Sequence, residues 1–316
     1  MKRAIVIGSS GQDGYYLARS LEQKGFSVIR IDQNIIQPQS VFNDIDSFDI
    51  CVPSYVDTLV KNSKPDEIYH LAAFHHSAQD NYDETLDTFK KSINIHEVSL
   101  FNFLTSTVKH SPTTRLFYAA SSLVFGDPST EIQNENTPIN PTNLYGITKA
   151  SGLFLCRKFR KEHDTFASCG ILYNHESSRR QSNFLSKKIV NGVIAARKNC
   201  SAILELGNLE STADWGYAPD YVEAMIKILS LSEPDDFIVS TGIKHTVKDF
   251  VSTAFAAGDL DWRKHVTQKP GIVQRVTNPL IGDSTKLRKA TGWAPSVTFE
   301  EMVKSLVEEG IINDSV

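Results

Sequence analysis

The chain has 316 residues, 41% hydrophobic and 22% charged, enough to bury a full core near the size at which one domain divides into two. That composition excludes a disordered scaffold. A formal net charge of -4 supplies no basic field, so binding to nucleic acid or to an anionic membrane surface is not expected, and small-molecule chemistry is.

The first segment, MKRAIVIGSSG, carries two cations ahead of an apolar stretch too short for a signal-peptide core, and no later run has transmembrane length. Cys51, Cys156, Cys169 and Cys200 lie apart, without the close spacing of zinc sites or redox dithiols. Reduced thiols, no metal and a cytoplasmic location are expected.

Apolar runs alternate with helical patterns along the first half: AIVIG, YLARSLEQKG, SVIRID, YVDTLVKNS, EIYHLAAF, INIHEVSLFNFLTSTVK, RLFYAASSLVF and YGITKASGLFLCRKFRKE. This alternation predicts βαβ units and an α/β, Rossmann-like, doubly wound parallel sheet. The strands hold Val, Ile and Phe with little polar alternation, as strands covered on both faces do.

AIVIG leads into Gly8-Ser9-Ser10-Gly11-Gln12-Asp13-Gly14. Gly8 permits a tight turn, Gly11 lets backbone N–H groups approach a pyrophosphate, and Gly14 allows a helix to pack close. A dinucleotide is the expected cofactor. Asp32 closes the second strand where a carboxylate accepts from the adenosine ribose hydroxyls, which favours NAD over NADP. Arg30, two residues earlier on the same side of an ideal strand, is a cation that a 2′-phosphate would use.

Tyr145 and Lys149 stand at i and i+4, on one face of a helix. A lysine beside a phenol lowers its pKa and can hold the nicotinamide ribose, so Tyr145 can exchange a proton as hydride moves. Ser121, at the end of the preceding strand, is placed to hydrogen-bond the reacting oxygen. His75, His76 and Asp80 follow another strand end, where such sheets put ligands; His76 and Asp80 are candidate substrate contacts, and a histidine there is a candidate acid or base.

After about residue 170 shorter strands, AILELG and DFIVSTG, are set among loops and helices. The expected division is 1–170, a dinucleotide domain carrying the catalytic residues, and 171–316, mainly a smaller C-terminal substrate-binding α/β lobe with some chain returning to the sheet. Thr298-Phe299-Glu300-Glu301 has capping-box spacing ahead of a final helix.

The segments GSSGQDGYYLARSLEQKGF, KPDEIYHLAAF, PTNLYGITK, ILYNHESSRRQSNFLSKKI, LGNLESTADWGYAPDYVEAM and GDSTKLRKATGW occur in this order. Together they resemble the extended short-chain dehydrogenase/reductases, and within them the GDP-mannose 4,6-dehydratases, nearly end to end. The resemblance implies a cofactor loop of Gly8, Gly11 and Gly14, an Asp49 near the adenine, and an active site of Ser121, Tyr145 and Lys149. It points to Asn174 and Lys188, with Arg179 and Arg180 nearby, for a nucleotide sugar, GDP-linked by preference. His175 in the NHES segment is expected to support its loop by hydrogen bonding.

Three departures qualify what the resemblance implies. The family's dehydratases carry a glutamate two residues after the active-site Thr or Ser as base at sugar C5, and this chain has Leu123. An arginine before Asp-Trp-Gly is replaced by Ala213, ahead of Asp214 and Trp215, and Arg275 does not match the family's register cleanly. The arginines after the second strand, which read an NADP 2′-phosphate and contact a neighbouring subunit, give way to Asp32-Gln33-Asn34. The reading is an NAD(H)-dependent reductase, dehydrogenase or epimerase acting at C4 of a nucleotide sugar, forming a homodimer or higher homo-oligomer. The alternatives are a 4,6-dehydratase with a relocated base and a non-catalytic dinucleotide sensor.

Overall fold

The computed structural model describes residues 1–33, 35–37, 48–74, 85–269 and 279–314. In the first half, β1 (Arg3–Ile7), α1 (Gln12–Gln23), β2 (Ser27–Asp32), β3 (Ile35–Gln37), α2 (Pro53–Ser63) and β4 (Glu67–His70) come first. They are followed by α3 (Leu86–Ile93), α4 (Ser99–His110), β5 (Arg115–Ser121), β6 (Ile132–Gln133), α5 (Leu144–His163) and β7 (Ala167–Leu172). The second half opens with β8 (Asn174–Glu176), α6 (Leu185–Lys198), β9 (Leu204–Leu206), β10 (Thr212–Tyr217), α7 (Ala218–Leu229) and β11 (Asp236–Val239). It closes with β12 (Lys244–Thr246), α8 (Val247–Ala257), β13 (Val266–Gln268), β14 (Ile281–Gly282), α9 (Thr285–Thr291) and α10 (Phe299–Asp314).

The main sheet runs β11-β7-β5-β4-β1-β2-β3. Its pairs are parallel except the last, where β3 returns antiparallel with Asp32 opposite Ile35. So short a link from β2 to β3 cannot make a parallel crossover. Both faces are covered, as the apolar strands predict. On β1, Ile5 and Ile7 enter a core with Leu59, Phe103 and Leu153 from α2, α4 and α5, while Ala4 and Val6 enter another with Leu17 of α1 and Met225 of α7. The sheet is the doubly wound Rossmann type.

DFIVSTG does not stay with the later chain; it contributes β11, beside β7 at the sheet edge. A third core lies under α6, α8 and α10, where Ile189, Phe250 and Met302 surround Trp215. Helix α10 starts at the expected capping box: Thr298 N–H donates to Glu301 at 2.7 Å and Glu301 N–H to Thr298 Oγ1 at 3.1 Å. Among the described residues, no helix is long and apolar enough to cross a membrane.

Candidate active site

The carboxyl ends of β1, β4, β5 and β7 form one edge, with Ile7 opposite His70 and Ser121 opposite Leu172. Chain connectivity diverges at β1, whose neighbours β2 and β4 lie on opposite sides, and ligands bind at such a switch point. The glycine turn sits there. Gly8 has φ +87, and a Cβ on it would lie 2.8 Å from Ala72 N; a Cβ on Gly14 would lie 2.1 Å from Gly8 O. Neither backbone neighbour can yield, so glycine alone lets the turn and α1 approach this closely. A pyrophosphate cradle at a helix N-terminus fits these residues.

Asp32 faces this turn. Its Oδ2 accepts Ser10 N–H at 2.8 Å and its Oδ1 accepts Gln33 N–H at 2.8 Å. A carboxylate offers about four acceptor sites, so capacity remains for ribose hydroxyls. Arg30 is turned to Glu22, at 2.8 Å. Asp49 is exposed and accepts Cys51 N–H at 2.8 Å, capping the turn before α2.

Ser121 ends β5, where its Oγ accepts Leu123 N–H at 3.3 Å and caps a 3₁₀ turn, Ser122–Phe125. With that lone pair engaged, the hydroxyl hydrogen is free to point to another acceptor. Leu123 is half-buried beside Gly146, where a Cβ would come within 2.5 Å of Leu123 O. Position 123 therefore lies against the first turn of α5, which carries Tyr145 and Lys149. Asn143 caps that helix by accepting Gly146 N–H at 2.8 Å.

Lys149 is 1% exposed, and its Nζ donates to Ala119 O at 2.8 Å and lies 5.7 Å from the Tyr145 ring centroid. Burial pulls its pKa down to about 7, opposed by the charge of Asp13. Burial pushes the Tyr145 phenol above its ordinary value; Arg180 opposes the shift and Asp13 adds to it. Lys149 stands beside the ring, as the spacing predicts, and Arg180 is a further positive charge that opposes the shift.

Asn174 is exposed on β8. Arg180 lies 3.2 Å from the buried Glu176 and stacks on Phe184 at 3.8 Å, whereas the exposed Arg179 stacks on Tyr15 at 3.8 Å. Lys188 is half-buried in the first turn of α6, its N–H bonded to Phe184 O at 2.9 Å. Ala213 pairs in register with His245 of β12. Asp214, fully buried, accepts from Thr241 N, Thr241 Oγ1, Gly242 N and Gly282 N, knotting three segments of the second lobe. His75, His76, Asp80 and Arg275 lie outside the described residues.

His175 supports its loop by hydrogen bonding, as expected, but two features go beyond the sequence reading. Asp13 Oδ2 lies 2.9 Å from His175 Nε2, and His175 Nδ1 lies 2.6 Å from Tyr173 O. Gln12 donates to His175 O at 3.0 Å, and Ser177 donates to Gln12 at 2.8 Å. These bonds tie the glycine turn to β8. Both His175 nitrogens face acceptors, so the pair is an imidazolium and a carboxylate. Burial raises the Asp13 carboxyl, but His175 and Arg180 outweigh it and the net shift is downward. Burial lowers His175, and Asp13 outweighs it upward.

The depressed acid contributes stability above the ordinary Asp value that is lost as pH falls through its folded pKa. The raised base contributes below the ordinary His value, and its share is lost as pH rises through its folded pKa. The pair therefore stabilises most between about pH 4 and pH 6.5. Asp13→Asn should cost about 3 kcal/mol in that window and less at pH 9, read by melting temperature against pH. A pH-independent loss would refute the ion pair. The second missed feature is His96, fully buried in a π-helical turn, Asn94–Val98, with its ring 5.3 Å from that of Tyr145.

The family model described as GDP-mannose 4,6 dehydratase matches residues 5–306. The chain belongs to the GDP-mannose 4,6-dehydratase family. It is accordingly an enzyme of the NAD-dependent epimerase/dehydratase superfamily. A GDP-mannose 4,6 dehydratase 2 of Arabidopsis thaliana is 34% identical over 98% of this chain and 87% of its own length. The GDP-mannose 4,6-dehydratase of Vibrio cholerae is 28% identical over 98% and 94%. Among solved structures, RMD from Pseudomonas aeruginosa complexed with NADPH superposes with a TM-score of 0.83 at 17% identity, covering 99% of this chain and 100% of that one. The dTDP-glucose 4,6-dehydratase of Bacillus anthracis, in complex with NAD, gives 0.83 at 16%, covering 100% and 98%. At those identities the structural likenesses establish the fold.

Proposed function

We propose that this enzyme oxidises C4 of a GDP-linked hexose and follows the GDP-mannose 4,6-dehydratase course, with its C5 base away from position 123. The observation that carries this reading is the assembly of Ser121, Tyr145 and Lys149 at the carboxyl edge of the sheet, in a chain matched by that family from residue 5 to 306. The dinucleotide, when bound, supplies the hydride acceptor and donor. Tyr145 exchanges the proton at the C4 oxygen, Ser121 hydrogen-bonds that oxygen, and Lys149 holds the nicotinamide ribose. Asn174, Lys188 and Arg180 serve the nucleotide sugar, whose diphosphate needs cationic donors, with Arg179 at the rim.

Leu123 favours a second reading, C4 oxidation and reduction or epimerisation without loss of water, because an alkyl side chain takes no proton from carbon. The family relationship gives the dehydratase reading the greater support. A sensor without turnover would need none of Ser121, Tyr145 and Lys149. Incubation with GDP-mannose in deuterated water tests the two active readings: deuterium at C5 with loss of the C6 oxygen supports dehydration, and C4 chemistry without either supports the second. No reaction at C4 with any GDP-hexose would refute both.

Within this reading residues 1–170 bind the dinucleotide and carry the catalytic groups, and residues 171–316 mainly bind the nucleotide sugar. The enzyme works in the cytoplasm as a homodimer or larger homo-oligomer, and the exposed Phe101, Ile147 and Phe154 on α4 and α5 support self-association. NAD is the partner of Asp32, whose charge repels a 2′-phosphate. Calorimetry should find NAD bound about tenfold more tightly than NADP, on the order of 1.4 kcal/mol, with most of the gap lost in Asp32→Ala. Equal affinities in the unmodified protein would overturn the assignment.

A further inference from the structure

His96 lies in the π-helical turn joining α3 to α4, and both of its nitrogens are engaged. Nε2 is 2.9 Å from Phe74 N, a group that can only donate, so Nε2 is the unprotonated nitrogen. Nδ1 is then the donor, and it meets Thr148 Oγ1 at 2.8 Å. The Thr148 hydroxyl in turn faces Leu144 O and Tyr145 O, each at 3.1 Å. Meanwhile the imidazole stands edge-to-face with the Tyr145 ring, at 89°.

A core histidine needs only some partner for each nitrogen. Here one partner is the loop leaving β4 at the ligand edge, and the other lies between Tyr145 and Lys149. The π turn explains how His96 reaches them: its wider turn shifts the helix register, and such turns are frequent at functional sites.

We infer that His96 is a positioning residue, which fixes the Tyr145 phenol by locking the first turn of α5 through Thr148 and by bracing the tyrosine ring. The inference rests on the proposed role of Tyr145 as the proton-exchanging group. Side-chain misplacement of the order of 1 Å at a reacting group costs up to about 100-fold in rate. His96→Leu should therefore lower kcat for C4 oxidation by about 10- to 100-fold, with KM for the GDP-hexose and the dinucleotide Kd changed less than about threefold.

Two conservative variants separate positioning from general core packing. His96→Asn puts an amide N–H near the place of Nδ1 and keeps the bond to Thr148, so it should recover most of kcat. His96→Gln reaches toward the place of Nε2 and should not. A His96→Leu protein that keeps full kcat, or one in which KM and Kd rise by as large a factor as kcat falls, overturns the inference, as does a Gln variant that rescues better than Asn.

Imidazole ¹⁵N NMR on the full chain gives an answer that needs no turnover. The proton should sit on Nδ1 of His96, and Tyr145 ring resonances should move in His96→Leu. A proton on Nε2, or unmoved Tyr145 resonances, overturns the inference even if the functional reading stands. Absent C4 chemistry in the unmodified enzyme would instead sink the functional reading, leaving the NMR result to decide the role of His96.

Discussion

Tyr145→Phe is expected to lower kcat for C4 oxidation by about 10²- to 10⁴-fold while the dinucleotide Kd stays within about twofold. Only the transferable proton is removed; the ring, with its contacts to His96 and Lys149, remains. Burial keeps the phenol protonated at neutral pH, so proton loss during oxidation depends on nearby positive charge. Lys149→Ala should harm binding as well as rate. It deletes the group assigned to the ribose and leaves the buried Ala119 carbonyl without its donor. Stopped-flow and calorimetry on both variants separate the two effects. Unchanged turnover in Tyr145→Phe would mean that another group carries the proton.

The second large effect concerns the C5 proton. With Leu123 half-buried against α5, a base for dehydration would have to come from elsewhere, and in sequence His75, His76 and Asp80 follow β4, whose neighbours are β1 and β5. Oxidation at C4 acidifies the C5 proton, yet a positioned base still contributes about 100- to 10,000-fold. One of His75→Gln, His76→Gln and Asp80→Asn should therefore depress solvent deuterium uptake at C5 by that factor, with C4 oxidation retained. If the unmodified enzyme incorporates no deuterium and Leu123→Glu acquires the exchange, the relocated base is refuted and the non-eliminating reading holds.

Much of the fold was legible because its signals are local. Alternating apolar runs and helical patterns prescribe covered parallel strands, the glycine spacing prescribes the turn at Gly8 and Gly14, and Thr298 with Glu301 prescribes a helix start. The departures came from contacts that local pattern does not encode. DFIVSTG is a short apolar run, and nothing in it says that β11 completes the first sheet. Arg30 sits on the expected side of its strand, but its partner Glu22 lies on α1.

The candidate site was legible at the level of residue type. Tyr145 and Lys149 share a helix face as i,i+4 spacing requires. That Arg180, from the segment after β8, also opposes the rise of the phenol pKa follows only from the folded chain. The Asp13–His175 pair joins residues 162 apart in sequence. His96 sits in INIHEVSLFNFLTSTVK, which reads as one helical pattern, so only the folded chain reveals the wide turn that brings it to Tyr145.

The most direct test of the central claim, that a GDP-hexose is oxidised at C4 and then dehydrated at the Tyr145 site, is label tracing with GDP-mannose deuterated at C4. The account predicts that deuterium leaves C4 and appears at C6 of a 4-keto-6-deoxy product, and that Tyr145→Phe suppresses the loss. Deuterium retained at C4 through complete conversion of the substrate, in the unmodified enzyme, would contradict it.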